Sequence, residues 1–171
     1  LSSALIASGA DVVYTVDDPA LAQYEANVYV DAVSQLVVKH RPEVILAGAT
    51  AVGRAFFARV AVKVRTGLTA DCTRLSIEET RNRDTGTMQR LLHQTRPAFG
   101  GNIMAHINTP RHRPQFATVR YKIFSIPEKS ANPAGKVHIC DTASLKLDSK
   151  ITITSVEPKS LEKGIEDCEV L

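Results

Sequence analysis

Cysteine is scarce and unpaired in this sequence. Cys72, Cys140 and Cys168 form no C-x-x-C pair and are odd in number, which argues against a disulfide scaffold and fits a reducing compartment. Long apolar runs are lacking too. No window approaches the ~20 residues a membrane helix needs, and the stretches near Val37 and Ile45 are broken by Lys39, His40, Arg41 and Pro42. The sequence therefore predicts no membrane insertion. Catalytic signatures are also missing: there is no H-E-x-x-H and no G-x-S-x-G, and Cys72 beside Asp71 lacks a local base. His40, His93, His106, His112 and His138 have no spacing that sets two on one helical face, so neither a metal site nor a catalytic residue is expected. An initiator methionine and a signal peptide are absent, and the close at Leu171 has no obvious cap. Both ends are expected to lie inside a longer polypeptide.

One further shortfall decides against a nucleotide triphosphatase. The run Gly48-Ala-Thr-Ala-Val-Gly53-Arg54-Ala55 has the glycine spacing of a phosphate-binding loop, but that chemistry needs a lysine for the terminal phosphates and a hydroxyl for magnesium. Arg54 and Ala55 stand in those places. A tight strand-to-helix turn built from small residues is the simpler reading, with a direct ligand role as the alternative.

What is present describes one ordinary soluble-type domain: 171 residues, 44% hydrophobic and 23% charged. The net charge of +3 is unevenly spread. Residues 1–80 carry 7 basic and 9 acidic groups, residues 81–122 carry 8 and 1, and residues 123–171 carry 6 and 8. The basic centre predicts a surface suited to phosphate, an anionic flavin or an acidic partner.

The chain also has a readable order. Asp11–Val16 is a β-branched run closed by Asp17-Asp18-Pro19, so it reads as a strand followed by a helix start. Leu21, Tyr24, Val28, Ala32 and Leu36 recur at three- and four-residue steps until Arg41-Pro42, which predicts an amphipathic helix. Val44–Ala47 is wholly apolar, the pattern of a central parallel strand buried on both faces. Val52–Val64 repeats Phe56, Val60 and Val64, with Gly67 as its expected terminus. This alternation predicts an open, mostly parallel, Rossmann-like α/β sheet flanked by helices, whose ligands sit beyond the carboxyl ends of the strands.

From Leu75 the pattern shifts to strands. They are Leu75 with Ile77, a turn at Asp84-Thr-Gly86, Leu91-Leu92, Ile103–Ile107 and Phe116–Phe124, with a further alternating strand at Lys146–Thr154. Lys129–Lys136 reads as a surface loop. A nucleic-acid platform is disfavoured, because alternation puts Phe116, Thr118, Arg120 and Lys122 on one face and mixes a single aromatic with charge.

The segment Gln94–Asn102 holds Arg96-Pro97, Phe99 and Gly100-Gly101-Asn102. Two glycines let backbone approach a ligand closely, arginine offers a planar fork, and asparagine both donates and accepts. Gln94-Thr-Arg-Pro-Ala-Phe-Gly-Gly-Asn-Ile-Met-Ala105 and Arg113-Pro-Gln-Phe-Ala-Thr-Val-Arg120 resemble the electron-transfer flavoprotein alpha family. Gly48-Ala-Thr50, Gly53-Arg54, Thr66–Thr73 and Gly9–Tyr14 match in order as well, so the resemblance covers roughly residues 5–124. The sequence departs from the family at His106, Phe116 and Tyr121-Lys122, and the last two lean toward its electron-bifurcating, anaerobe-type members.

The resemblance implies an adenine-nucleotide-hydrolase-like base domain at residues 1–124 and a peripheral β-containing extension at 125–171. The extension would lead to a separate domain that carries a shuttle FAD. It implies an electron carrier rather than a catalyst on its own, assembled with a beta subunit and fed by a dehydrogenase such as an acyl-CoA dehydrogenase. The compartment would be the bacterial cytoplasm, or the mitochondrial matrix in a eukaryote. Carried over by position, Arg96, Gly100, Gly101 and Asn102 would meet a second FAD or an AMP shared with the beta subunit; the same arginine could equally bridge to a carboxylate of that subunit. Arg113, Gln115 and Arg120 are expected first as interface or packing groups, with direct cofactor contact as the alternative. A stand-alone nucleotide-binding α/β module is the alternative.

Overall fold

The computed structural model describes residues 1–100 and 102–157. In its first half, α1 (Ser2–Ala7) leads to β1 (Val12–Thr15), a 3-10 turn at Pro19–Leu21, α2 (Ala26–His40), β2 (Val44–Gly48), α3 (Ala51–Lys63) and β3 (Leu68–Cys72). Strands then dominate: β4 (Arg74–Arg81), β5 (Met88–Pro97), β6 (Met104–Ile107), β7 (Gln115–Val119) and β8 (Lys136–Ile139).

Local chemistry sets the helix limits. Glu25 caps α2 by accepting the amides of Asn27 (2.9 Å) and Val28 (3.0 Å). The bond from Asn27 is the main reason its carboxyl is held below the usual carboxylate range, against the opposing effect of burial. The helix thus begins later than the apolar spacing suggests: Leu21 belongs to the 3-10 turn and Tyr24 is exposed, while Val28 and Ala32 are buried as expected. Arg41, at φ +46, ends it with its amide on the Val37 carbonyl, and Pro42 forbids another turn. Thr50 caps α3 through the Gly53 amide. Gly67 is not its terminus. Arg65 takes the left-handed conformation there, and the Thr66 amide closes on the Ala61 carbonyl.

Among the described residues three small sheets result: parallel β1–β8, parallel β2–β7–β3 and antiparallel β4–β5–β6. The expected central strand is misplaced in the sequence reading. Among the described residues β2 pairs only with β7 and leaves Leu46 about half exposed, at 51%. The central strand is β7, buried from Gln115 to Thr118, which enters between β2 and β3 only after the antiparallel excursion. An apolar run identifies a strand, but its neighbours are chosen by segments far along the chain. β7 also stops at Val119, so Tyr121–Phe124 are not strand. In the tail, the strand expected at Lys146–Thr154 does not form, and β8 forms instead just after the loop.

The core lies between β2–β7–β3 and the helix pair. Phe116 is fully enclosed and packs with Val30, Phe56, Val60 and Ala61, its ring 6.1 Å from that of Phe57. A second cluster of Cys72, Leu92 and Ala117 joins the parallel sheet to the antiparallel one. Two polar bonds cross the same boundary: the Leu92 amide donates to Gln115 Oε1 (2.8 Å), and the Thr73 amide to the Thr95 carbonyl (2.8 Å). Among the described residues, no helix is long and apolar enough to cross a membrane, and no cluster of three metal-ligating side chains occurs.

Candidate functional site

The carboxyl ends of β2, β7 and β3 lie together. The Ala49 amide donates to the Val119 carbonyl (2.8 Å) and the Arg120 amide to the Cys72 carbonyl (2.9 Å). Between them, the β3 ladder shifts register between Thr69 and Cys72, and Asp71 adopts φ +63 with its amide on the Thr118 hydroxyl (2.9 Å). Aspartate tolerates this backbone region better than most residues. The irregularity leaves the Asp71 side chain mostly enclosed at this end of the sheet, 21% exposed.

Arginines gather on that carboxylate. Arg120 grips it with two bonds, Nη2 to Oδ2 at 2.6 Å and Nε to Oδ1 at 3.2 Å. Arg54 adds a bond from Nη2 to Oδ1 at 3.3 Å, while its Nε donates to the Ala49 carbonyl at 2.8 Å. The hydrogen bond from Arg120 is the chief reason the Asp71 carboxyl is held below its usual range. The charges of Arg120, Arg54 and Arg96 act in the same direction, and burial opposes them. Arg120 is correspondingly raised, chiefly by its hydrogen bond to Asp71. Two guanidinium groups thus bond one carboxylate, and the charge of a third acts on it without a direct bond.

Arg96 is the least compensated of the three. Its Nε reaches the Pro97 carbonyl at 3.4 Å, and it makes no ion pair among the described residues. It stands at the foot of the β5–β6 turn, which the Ala98 amide closes on the Ile103 carbonyl (2.7 Å). Gly100 sits there at φ +74 with open space where a Cβ would be, so the backbone angle rather than crowding calls for glycine. Phe99 on the same turn is 97% exposed, and Asn102 also faces outward. Gly101 lies outside the described residues.

Not every expected site residue is at this end. Arg113 and Gln115 sit at the start of β7. Arg113 donates to Glu43 (2.8 Å) and to the carbonyls of Thr109, His112 and Arg90. Gln115 is 2% exposed, its amide committed to Leu92. Both act as internal staples between the sheets; Gln115 does not face outward because the central strand encloses it. Arg120, by contrast, joins Arg96. Asp71 escaped the sequence reading. It stands inside the quoted Thr66–Thr73 motif, but nothing in that run points to an arginine 49 positions away.

The Gly48–Arg54 turn has a packing explanation. A Cβ on Gly53 would lie 2.0 Å from the Gly48 carbonyl oxygen, so glycine lets the start of α3 press against the end of β2. A shallow pocket of about 450 Å³ opens beside it, lined by Thr50, Arg54 and Tyr121. Cys72 is no nucleophile: it is fully enclosed, and burial pushes its thiol up.

The family model described as "Electron transfer flavoprotein domain" matches residues 1–145. The lactate dehydrogenase (NAD(+),ferredoxin) subunit LctC of Acetobacterium woodii is 46% identical over 95% of this chain and 36% of its own length. The electron transfer flavoprotein subunit alpha of Thermoanaerobacterium thermosaccharolyticum is 44% identical over 94% of this chain and 44% of its own. Protein FixB of Azorhizobium caulinodans is 40% identical over 75% of this chain and 32% of its own. The chain spans less than half the length of these curated relatives.

Proposed function

The chain belongs to the electron transfer flavoprotein domain family, and from that premise we propose that it is the base of an alpha subunit, a static platform on which a beta subunit docks. Residues 1–124 form the docking base, and residues 125–171 lead toward a separate FAD-carrying domain. The assembled carrier takes electrons from a dehydrogenase, such as an acyl-CoA dehydrogenase, and passes them on through FAD. Its compartment is the bacterial cytoplasm, or the mitochondrial matrix in a eukaryote.

The observation that carries this reading is Arg96, which makes no ion pair among the described residues and stands next to the Thr95–Thr73 bond, at the end of the fold where Arg120 and Arg54 hold Asp71. Beside Arg96, Gly100 leaves open space and Asn102 faces outward; Gly101 is proposed with them from the sequence alone. These groups fit a flat, anionic ligand. A flavin, when bound, supplies the electron chemistry, and a fixed positive charge near its ring favours the reduced, anionic form. The name of the Acetobacterium woodii relative joins NAD(+) and ferredoxin, which supports a bifurcating complex with a second FAD, rather than AMP, beside Arg96. Phe99, Ile103 and Met104 offer apolar docking area at the same end. A stand-alone nucleotide-binding module is less well supported, because Gly53 is accounted for by its contact with Gly48.

The test is Arg96→Ala in the full-length heterodimer, followed by a redox titration that resolves the flavins. The flavin shared with the beta subunit should shift to a more negative potential while the shuttle flavin stays put. An unchanged titration would refute the contact, and a full-length protein that purifies with neither a second subunit nor flavin would refute the family role.

A further inference from the structure

The basic centre of the sequence does not form one surface. Arg96 and Arg120 go to the carboxyl end of the parallel sheet, whereas Arg81, Arg83 and Arg111 line a cleft of about 790 Å³ at the opposite end. One wall of this cleft is the β4–β5 turn and the other is the loop between β6 and β7. Leu68 and Ile107 supply apolar lining.

The turn holds its charges in place. Asn82 Oδ1 accepts the amides of Asp84 (2.8 Å) and Thr85 (3.2 Å), and Arg81 Nε donates to the Gly86 carbonyl (3.0 Å). Asp84 is the one acidic residue among residues 81–122. It meets Arg111 from the facing wall at 3.0 and 3.5 Å. With both partners largely exposed, this pair contributes little and is open to exchange. Arg83 makes no ion pair among the described residues. Three guanidinium groups against one carboxylate leave an excess of positive charge over an apolar lining.

From this we infer that the cleft binds a phosphate ester of nucleotide size. The phosphate lies on Arg83 and Arg111, and the body of the ligand lies against Leu68 and Ile107. Arginine forks match phosphate oxygens in paired hydrogen bonds. The cleft also falls within the roughly 300–1,000 Å³ of small-molecule sites, far more room than an inorganic anion fills. On binding, the phosphate replaces the Asp84 carboxylate on Arg111, so Asp84 acts as a competitor held in the empty cleft.

The experiment is calorimetry on the full-length protein with whichever subunit co-purifies, titrated separately with guanosine monophosphate and inorganic pyrophosphate. Guanosine monophosphate avoids a site specific for adenine. It should bind, Arg83→Ala with Arg111→Ala should weaken it by about tenfold or more, and Asp84→Asn should tighten it. Pyrophosphate should bind more weakly than the nucleotide. The inference is overturned if the parent does not bind guanosine monophosphate, if the double variant binds it as well as the parent, or if pyrophosphate binds as tightly. These side chains are exposed, so folding should survive, and unchanged melting of the variants would establish that. None of them is shared with the Arg96 site, so either reading can fail without the other.

Discussion

Asp71 shows how one carboxylate can organise a surface that is otherwise positive. Because its carboxyl is held below the usual range, mainly by Arg120, it binds a proton less readily in the folded chain than in the unfolded one. Its contribution to stability is therefore fully present above the ordinary aspartate value of ~3.9 and is lost as pH falls through the lowered folded value. Asp71→Asn should lower the melting temperature at pH 7, and the gap to the parent should narrow in melts recorded from pH 5 down toward pH 2. A gap that stays constant across that range would rule out the charged pair as its source. The same residue marks a limit of sequence reading. Arg96, Gly100 and Asn102 could be singled out from a contiguous motif, but the Arg120–Asp71 pair is assembled by the register of β3 and β7. No local spacing encodes that register.

At the scale of elements, the β2–α3 turn is the place where a single methyl group matters most. Gly53→Ala would put a Cβ 2.0 Å from the Gly48 carbonyl oxygen. The oxygen is backbone and the Cβ is fixed directly to backbone, so neither the strand end nor the helix start can yield cheaply. The substitution should cost about 2–3 kcal/mol in chemical denaturation, at the upper end for overpacking. A variant as stable as the parent would mean the turn has slack. Strand and helix order was legible here because the 3.6-residue repeat of Val28 and Ala32, and of Phe56 and Val60, is local information. Which strand lies in the middle was not. Val44–Ala47 and Phe116–Val119 are both apolar enough for a buried strand, and only the return of the chain after β6 places β7 between β2 and β3. β8 was missed for a related reason: four residues beyond a proline- and glycine-bearing loop carry too little pattern to announce a partner as distant as β1.

Seen as a whole molecule, the chain sets its charge beside an exposed apolar patch at one end of the fold. The carboxyl end of the parallel sheet carries Arg54, Arg96 and Arg120, and next to them the β5–β6 turn projects Phe99, Ile103 and Met104. An almost fully exposed phenylalanine contributes nothing to folding by burial, so its value lies in what covers it. Phe99→Asp should leave the melting temperature of the isolated full-length chain unchanged. It should weaken association with the beta subunit, read by size-exclusion chromatography at several protein concentrations. An intact heterodimer in the variant would move the docking surface elsewhere on the molecule.

The parallel pairing of β1 with β8 bears on how the protein comes into being. Val12 meets Lys136 and Thr15 meets Ile139, so a strand made near the start of the described chain waits for one made near its end. Among the described residues β1 pairs with β8 alone, so on the ribosome that pairing has to wait, and its sequence separation is very high. Such a closure slows folding and exposes an edge to wrong partners meanwhile. The α2, β2 and α3 segments are free to assemble early. The β1–β8 ribbon is thus a late seam of the described chain, and a nascent chain that stalls before residue 136 would carry it unsewn.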